Sequence, residues 1–501
     1  MFFAMLPAML IAQEYQIYNV DYEIEGITKE YPLSQAVEID TDRVFRNLDE
    51  LIEYLTDLNI QFQNQRVLES AYISPFYGEP NENNIIPVDL LIQVVDSGNF
   101  IAAPYPRYDS NSGFTLKVAS NHYNFLGSMQ RLDFDLFYEW DNNETEGNTE
   151  DDEHSLGGYV AFSYPFQIGF IDASWTNAIS LEYTIGHSMP QIDFSTGVGM
   201  YYRINDIFAL SLSVTQGIDY NDDYEIYGDA LYFTETASLS APVTLAQTPY
   251  IGNLVWTPSL SVVDYLDMDG ISPLNPDLSD DTELTVGHAF TFGRVNWVGN
   301  YREGFSFSFG QQITPSIFEN TFTFFSYMNG SYYKAFKYAG FNTRWYYFHI
   351  YNSTSEVGAN IRGVINSLVD TDSALLLNFD IPIKIWQTDW VGYGLWDWTR
   401  YFDFELQLVP FIDIGIGNNP NTGSVFDYKD GWYGAGLEVL GFLSASRSIV
   451  GRISVGVDIV QFADKVGNRI DFVDTVVHKI FNTDWRGGSW YEFAFGIGLF
   501  Y

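Results

Sequence analysis

In Val357-Gly358-Ala359-Asn360-Ile361-Arg362-Gly363-Val364 one arginine stands beside a turn glycine, amid strands rich in acidic residues. A guanidinium keeps its charge at any relevant pH and offers a rigid fork of donors, so an enclosed one must find carboxylates or carbonyls. On these residues alone the segment also reads as an exposed loop. Alternation in the strands that follow suggests partners. In Ile453, Val455, Val457 and Ile459 the apolar positions are odd, which turns Asp458 to the other face. Tyr433, Leu437 and Val439 do the same for Glu438, alongside Gly434 and Gly436, and Asp413 lies on the polar face between Phe411 and Gly415. In a water-poor space an arginine paired bidentately with one or two of these would stay put, and its removal would crowd the carboxylates together.

Other chemistry is poorly represented. The six histidines are scattered without paired spacing, and no Gly-x-Ser-x-Gly elbow occurs. Gly186-His187-Ser188 could suggest a hydrolase, but adjacent strand residues point to opposite faces. The acidic runs Asp141 to Glu153, Tyr220 to Asp223 and Asp264 to Asp281 could hold calcium, yet lack the loop spacing that would make the signal specific; solvated, mutually repelling loops are the plainer reading. With no cysteine, thiolate sites and disulfides are excluded. The expectation is a protein without catalytic residues, metal or other cofactor.

The elements that would position Arg362 are strands. Aromatic residues make up 18% of the chain and glycines number 41, which suits an all-β chain. No apolar run reaches the ~20 residues of a membrane-spanning helix. From Phe114 onward the segments alternate: Phe114, Leu116, Val118 against Thr115, Lys117, Ala119; Leu132, Phe134, Leu136 against Asp133, Asp135; Phe305, Phe307, Phe309 against Ser306, Ser308. Large apolar residues on one face and small polar ones on the other fit a transmembrane barrel with a wet lumen. A β-sandwich or propeller would usually carry Lys and Glu on its polar side instead. The remaining length allows about sixteen antiparallel strands joined by connections of alternating length.

The first hundred residues differ. Met1 to Ala12 is apolar and reads as a signal peptide with Gln13 next, although the usual basic start is missing; a short buried segment is the alternative. Tyr15 to Ile24 alternates as a strand, and Asn47 can cap a helix carrying Leu48, Leu51, Ile52, Leu55 and Leu58 on one face, with Glu50 reaching back. A second short helix is expected around Gln61 to Arg66. Strands follow at Val67 to Ile73 and Val88 to Val94, separated by the Pro/Asn-rich stretch Pro75 to Pro87. Ala103-Pro104-Tyr105-Pro106 reads as a linker. The expected divisions are a leader at 1–12, an α+β domain at 13–102 and the barrel at 103–501.

The order Val357 to Val364, then Leu375 to Ile383, then Phe411-Ile412-Asp413-Ile414-Gly415, then alternating strands to an aromatic end resembles the BamA/TamA-type outer-membrane assembly and translocation superfamily. In that family a Val/Ile-Arg-Gly-aromatic loop folds back into the barrel lumen; here Ile361, Arg362 and Gly363 match and Val364 replaces the aromatic. The resemblance implies a loop arginine held by acidic residues on later strands, for which Asp413, Glu438 and Asp458 are available. It also implies that the N-terminal domain is a single POTRA-like module in the periplasm. Gly496, Leu499 and Tyr501 match the C-terminal signal of outer-membrane barrels, whose last strand would zip against the first strand near Phe114. The implied partners are outer-membrane lipid, unfolded or extended polypeptide clients, and periplasmic lipoproteins or chaperones; a formal charge of −42 speaks against nucleic acid and anionic head groups. Polypeptide insertion or export is the expected function, with a passive pore, receptor or adhesin as the alternative.

Overall fold

The computed structural model describes residues 13–109, 113–141, 153–187, 189–220, 231–248, 251–267, 282–315, 321–364, 369–445, 450–467, 477, 479–483, 485–486 and 489–497. The expected leader, most of the three acidic runs, Ser188, Leu499 and Tyr501 lie outside the described residues. The chain forms two compact units, one built chiefly from the residues up to Asn99 with Asn124–Met129, the other from Phe100–Tyr123 and the chain after Gln130.

The first unit contains β1 (Glu14–Glu25), α1 (Glu30–Ala36), β2 (Val44–Phe45), α2 (Leu48–Asn64), β3 (Leu68–Tyr77) and β4 (Ile85–Asp96). Its sheet runs β2-β1-β4-β3, with β1 parallel to β4 and the other pairs antiparallel. Leu33, Leu58, Phe62 and Ile92 form one buried cluster beneath the helices; Ile17, Phe45, Leu51 and Leu90 form another. Helix α2 starts where Asn47 accepts a hydrogen bond from the Glu50 backbone N–H at 2.8 Å. The Glu50 carboxylate does not complete a box with Asn47. It takes Arg43 at 2.8 Å and the Nε and backbone N–H of Arg46, each at 3.1 Å. These donors, the Arg43 hydrogen bond first, hold the Glu50 carboxyl down at about 2.

Sequence periodicity did not announce the short helix α1; Pro32 sits in its first turn, where its missing donor costs nothing. The separate helix expected at Gln61 to Arg66 is instead the last turn of α2 and the residues after it. Asn124, from the Asn-Phe-x-Gly sequence, donates to Thr28 Oγ1 at 2.6 Å and to Asp96 Oδ2 at 3.2 Å within this unit.

The second unit is one antiparallel sheet. Its first strands are β5 (Phe100–Asp109), β6 (Gly113–His122), β7 (Leu132–Asp141), β8 (Glu153–Ile168), β9 (Ile171–Thr184), β10 (Gln191–Arg203), β11 (Ala209–Tyr220) and β12 (Leu231–Ser240). Then come β13 (Val243–Ala246), β14 (Leu254–Asp267), β15 (Glu283–Val298), β16 (Tyr301–Pro315), β17 (Phe322–Ala335) and β18 (Gly340–Tyr351). The Arg362 loop carries the short pair β19 (Ser355–Glu356) and β20 (Asp370–Thr371). After it stand β21 (Ser373–Asp380), β22 (Ile383–Gln387), β23 (Phe404–Asn419), β24 (Ser424–Val425), β25 (Trp432–Leu443), β26 (Val450–Asp458), α3 (Ile459–Gly467) and β27 (Tyr491–Ile497).

Strands pair with their neighbours along the chain, and connections alternate between tight turns such as Gly169-Phe170 and much longer segments. One face exposes Leu116, Val118, Leu136, Ile179, Leu212 and Val214. The other pairs Lys117 with Asp135 at 2.5 Å and Ser306 with Ser331 at 2.8 Å. The period of two thus separates an apolar from a polar face, as alternation predicts.

One boundary differs from expectation. The Pro-marked stretch 103–106 is not a linker but lies inside β5, where Pro104 stands opposite Val118 and Pro106 opposite Leu116. Strand β6 therefore has both edges occupied, by β5 and β7, and cannot receive the last strand; β27 stands next to β5 in the strand order.

Candidate functional site

The loop after β18 folds onto the polar face of β21, β23, β25 and β26. A backbone hydrogen bond from Val357 to Val369 O at 2.9 Å closes its base, and Asn378 Nδ2 holds Asn360 O at 2.9 Å. Val357, Ile361 and Val364 are buried against Phe348, Leu376 and Trp432. Val364, standing where the resembled family has an aromatic, fills this cluster and is 1% exposed.

Two glycines allow the close approach. Gly363 adopts φ +88°, a left-handed conformation that any Cβ would strain, and its own Cβ would lie 2.4 Å from Val457 N. On β25, a Cβ at Gly434 would meet Arg362 O at 1.9 Å. Small residues at these facing positions are what let loop backbone lie directly on strand backbone.

Arg362 is 2% exposed. Its Nε and Nη2 grip Asp413 Oδ2 and Oδ1, each at 2.8 Å, and its own backbone N–H donates to Asp413 Oδ2 at 2.9 Å. Nη2 also reaches Asp380 Oδ1 at 2.6 Å, and Nη1 lies 3.5 Å from Glu438 Oε2. The guanidinium carbon sits 3.7 Å over the Phe411 ring, so a cation–π contact covers the plane that the fork leaves open. Arg344 pairs with Asp380 at 2.5 Å and Arg452 with Glu438 at 3.4 Å. Within this group three guanidinium groups meet three carboxylates, which is the condition for keeping charges buried.

Of the residues expected to meet Arg362, Asp413 and Glu438 do so and Asp458 does not. Asp458 shares their face, but it ends β26 where the chain turns into α3. Its Oδ1 accepts from the backbone N–H groups of Val460 at 2.9 Å and Gln461 at 3.0 Å, while Oδ2 lies 3.4 Å from Arg486 Nη1. A carboxylate used as a helix cap cannot also turn toward the loop. Asp380, Phe411, Arg344 and Arg452 were missed. The signal for Asp380 was available, since Leu376, Asn378 and Asp380 are buried on the same side of β21.

A cavity of about 50 Å³ lies beside the cluster, bordered by Arg344, Arg362, Asp380, Gln407 and Glu438. That is room enough for water, and its walls are polar. Glu438 Oε2, buried and without a hydrogen-bond partner among the described residues, is the group such a water would serve. Among the described residues no cluster of His, Asp and Glu has the make-up of a metal site. The arrangement clamps a loop; it presents no activated nucleophile.

No protein-family model matches the chain and no curated protein matches it. Solved structures do. CdiB from Acinetobacter baumannii matches over 96% of this chain and 73% of its own, with a TM-score of 0.50 at 11% identity. CdiB from Escherichia coli matches over 98% and 92% at 8% identity, with a TM-score of 0.40. BamA from Haemophilus ducreyi lacking POTRA domains 1-3 matches over 96% and 84% at 11% identity, with a TM-score of 0.38. At such identities the likeness is one of fold, and it rests on the first of the three.

Proposed function

From a fold shared with CdiB, a member of the BamA/TamA-type superfamily that the sequence resembles, we propose that this chain is an outer-membrane barrel that inserts, assembles or exports polypeptides. The observation that carries the reading is the Arg362 loop, folded back on the polar face and clamped by Asp413, Asp380 and Glu438. On this reading the sheet closes between β27 and β5, its apolar face meets hydrocarbon and its polar face encloses a lumen. Closure gives every strand a partner where no water can replace one. The loop then lies inside that lumen, in the position of a plug.

The first unit acts as a single POTRA-like module in the periplasm. Its sheet ends in β3, whose outer edge pairs with no strand among the described residues and which exposes Tyr72, Phe76 and Tyr77. An extended client adds there as a further strand, with main-chain hydrogen bonds supplying affinity and Tyr72 and Phe76, which share a face, gripping alternate side chains. The barrel lumen or its β27–β5 seam passes the client on.

The test is Arg362→Ala in planar bilayers with and without a candidate unfolded client. Breaking a buried pair from one side costs about 3–5 kcal/mol, and here it leaves Asp380, Asp413 and Glu438 with two guanidinium groups. The expected result is larger or more frequent channel openings, while Arg362→Lys, a point charge without the fork, restores the wild-type traces only in part. Identical traces for Arg362→Ala and wild type would remove the loop from the lumen. Client-independent conductance in both would favour a passive pore.

A further inference from the structure

Between β22 and β23 the sixteen residues from Thr388 to Asp403 expose an unusual set of side chains: Trp396 at 73%, Tyr393 and Tyr401 at 59%, Phe402 at 58%, Trp398 at 54% and Leu395 at 48%. We infer that this loop is an interfacial anchor seated in the head-group boundary of the membrane leaflet on its side, with zwitterionic phospholipid as its occupant. The inference deepens the proposed membrane reading and rests on it.

The loop is a built surface. Asp403 Oδ1 accepts from the Trp390 backbone N–H at 2.8 Å and from Thr388 Oγ1 at 3.2 Å, and Trp390 Nε1 donates to Phe402 O at 2.9 Å. Asp389 Oδ1 takes the Gly392 N–H at 2.9 Å. Trp396 and Trp398 stack at 5.9 Å, and Trp398 meets Phe402 edge-on at 5.8 Å. A loop so tied presents its aromatic rings outward in a fixed arrangement, at a cost in water that a wholly aqueous setting would not offset.

Its place in the sheet says what covers it. The loop continues the apolar face of the strands on either side, where Ile383, Ile385 and Trp386 on β22 and Ile412 on β23 are exposed. Trp386 and Trp390 both pack on Phe404, the first outward residue of β23, at 5.6 and 6.3 Å. It lies at the sheet end of the tight turns, since Gln407 Nε2 reaches Asn300 O at 3.3 Å and the Lys384 N–H reaches Tyr338 O at 2.9 Å. That is also the end at which β5 begins. Trp and Tyr, with an apolar body and a polar edge, partition to this boundary between hydrocarbon and water. With Asp389, Asp397 and Asp403 against Arg400, the loop has no attraction for anionic lipid, which selects a zwitterionic surface.

The absence of cysteine permits site-specific labelling of the full chain. Leu395→Cys and, as a reference, Ile412→Cys are each coupled to an environment-sensitive fluorophore and reconstituted in phosphatidylcholine vesicles. Lipids carrying spin labels near the head group or near the acyl-chain end are then compared as quenchers, with iodide as the aqueous quencher. The expected result is several-fold stronger quenching of the Leu395 probe by the head-group label than by the deep one, with poor access to iodide. Exchanging Trp396 and Trp398 together for Ser should shift that probe toward iodide. If the Ile412 probe is quenched by lipid while the Leu395 probe behaves as in water, the anchor is wrong and the barrel reading stands. If lipid leaves the Leu395 probe unquenched but an added unfolded polypeptide shields it from iodide, the loop is a client-docking surface and the anchor is likewise wrong. If neither probe meets lipid, the membrane reading itself fails.

Discussion

The backbone N–H of Gly363 donates to Glu492 Oε2 at 2.6 Å, across 129 residues of chain. Glu492 lies on β27, opposite Gly456 of β26, so the tip of the loop is tied to the last described strand of the sheet. The preceding N–H, that of Arg362, goes to Asp413 on β23. Two successive backbone donors are thus taken by carboxylates from two different strands. Movement of β27 away from its neighbours must break the second bond or pull the loop with it.

Removing the Glu492 carboxylate should therefore loosen the loop tip while leaving the Arg362 cluster intact. An unsatisfied buried donor costs about 1–3 kcal/mol, so Glu492→Ala should raise hydrogen exchange at the Gly363 amide by roughly one to two orders of magnitude, since about 1.4 kcal/mol is tenfold. Glu492→Gln keeps an oxygen acceptor but loses its charge and should fall between. Unchanged exchange in the alanine variant would show that the loop tip does not depend on β27.

Part of this site is legible in the sequence, because strand parity is a hard rule. Asp413 and Glu438 were placed on the face of Arg362 by alternation alone, and they contact it. Parity gives only the face, however, and neither depth nor competing partners; Asp458 has the right face and is taken by a helix start that no periodicity announced. Asp380 is harder to place from the sequence, since Leu375-Leu376-Leu377 makes the first half of its strand apolar on both faces. The strand β5 was misread for a different reason. Two prolines two residues apart look like a linker, yet prolines at that spacing lack donors along a single edge, and a strand can tolerate that where its other edge carries the pairing.

The first unit yields a prediction about pH. Glu50 has a folded pKa of about 2 against an ordinary 4.5, because Arg43 and Arg46 donate to its charged form. The folded value is the lower one, so the contribution to stability is complete above the unfolded pKa and is lost as pH falls from 4.5 toward 2. A fragment spanning residues 13–99, whose two apolar clusters are made almost wholly of its own side chains, should fold alone with mixed helix and strand signals. Thermal melts of this fragment and its Glu50→Gln variant should differ at neutral pH and converge through that acid window. A gap that stays constant down to the bottom of the window would mean that the Arg43 and Arg46 contacts contribute nothing through charge. An unfolded fragment would end the reading of this unit as an independent module.

The last prediction concerns the seam. Strand β6 is paired on both sides, and β27 stands next to β5, so on the proposed reading the first and last described strands of the sheet part at the β27–β5 seam. Pro104 and Pro106 direct their missing donors to one edge of β5. β5 pairs in continuous register with β6 on one edge, and β27 is its neighbour on the other. On β27, Gly496 contributes no side chain to a cross-strand pair. If the two missing donors face β27, this seam is, on the proposed membrane reading, the weakest line of the sheet. Restoring both donors with Pro104→Val and Pro106→Val should raise the temperature at which the barrel loses its compact mobility on denaturing gels, and should lower client insertion or export. Conversely, cysteine pairs joining Ala103 or Tyr105 to Ala494 or Gly496, scanned for the pair that crosslinks under mild oxidant, should lock the seam and abolish the cellular function until reductant is added. If locked protein supports wild-type levels of surface protein, the proposed passage of clients through the seam is wrong.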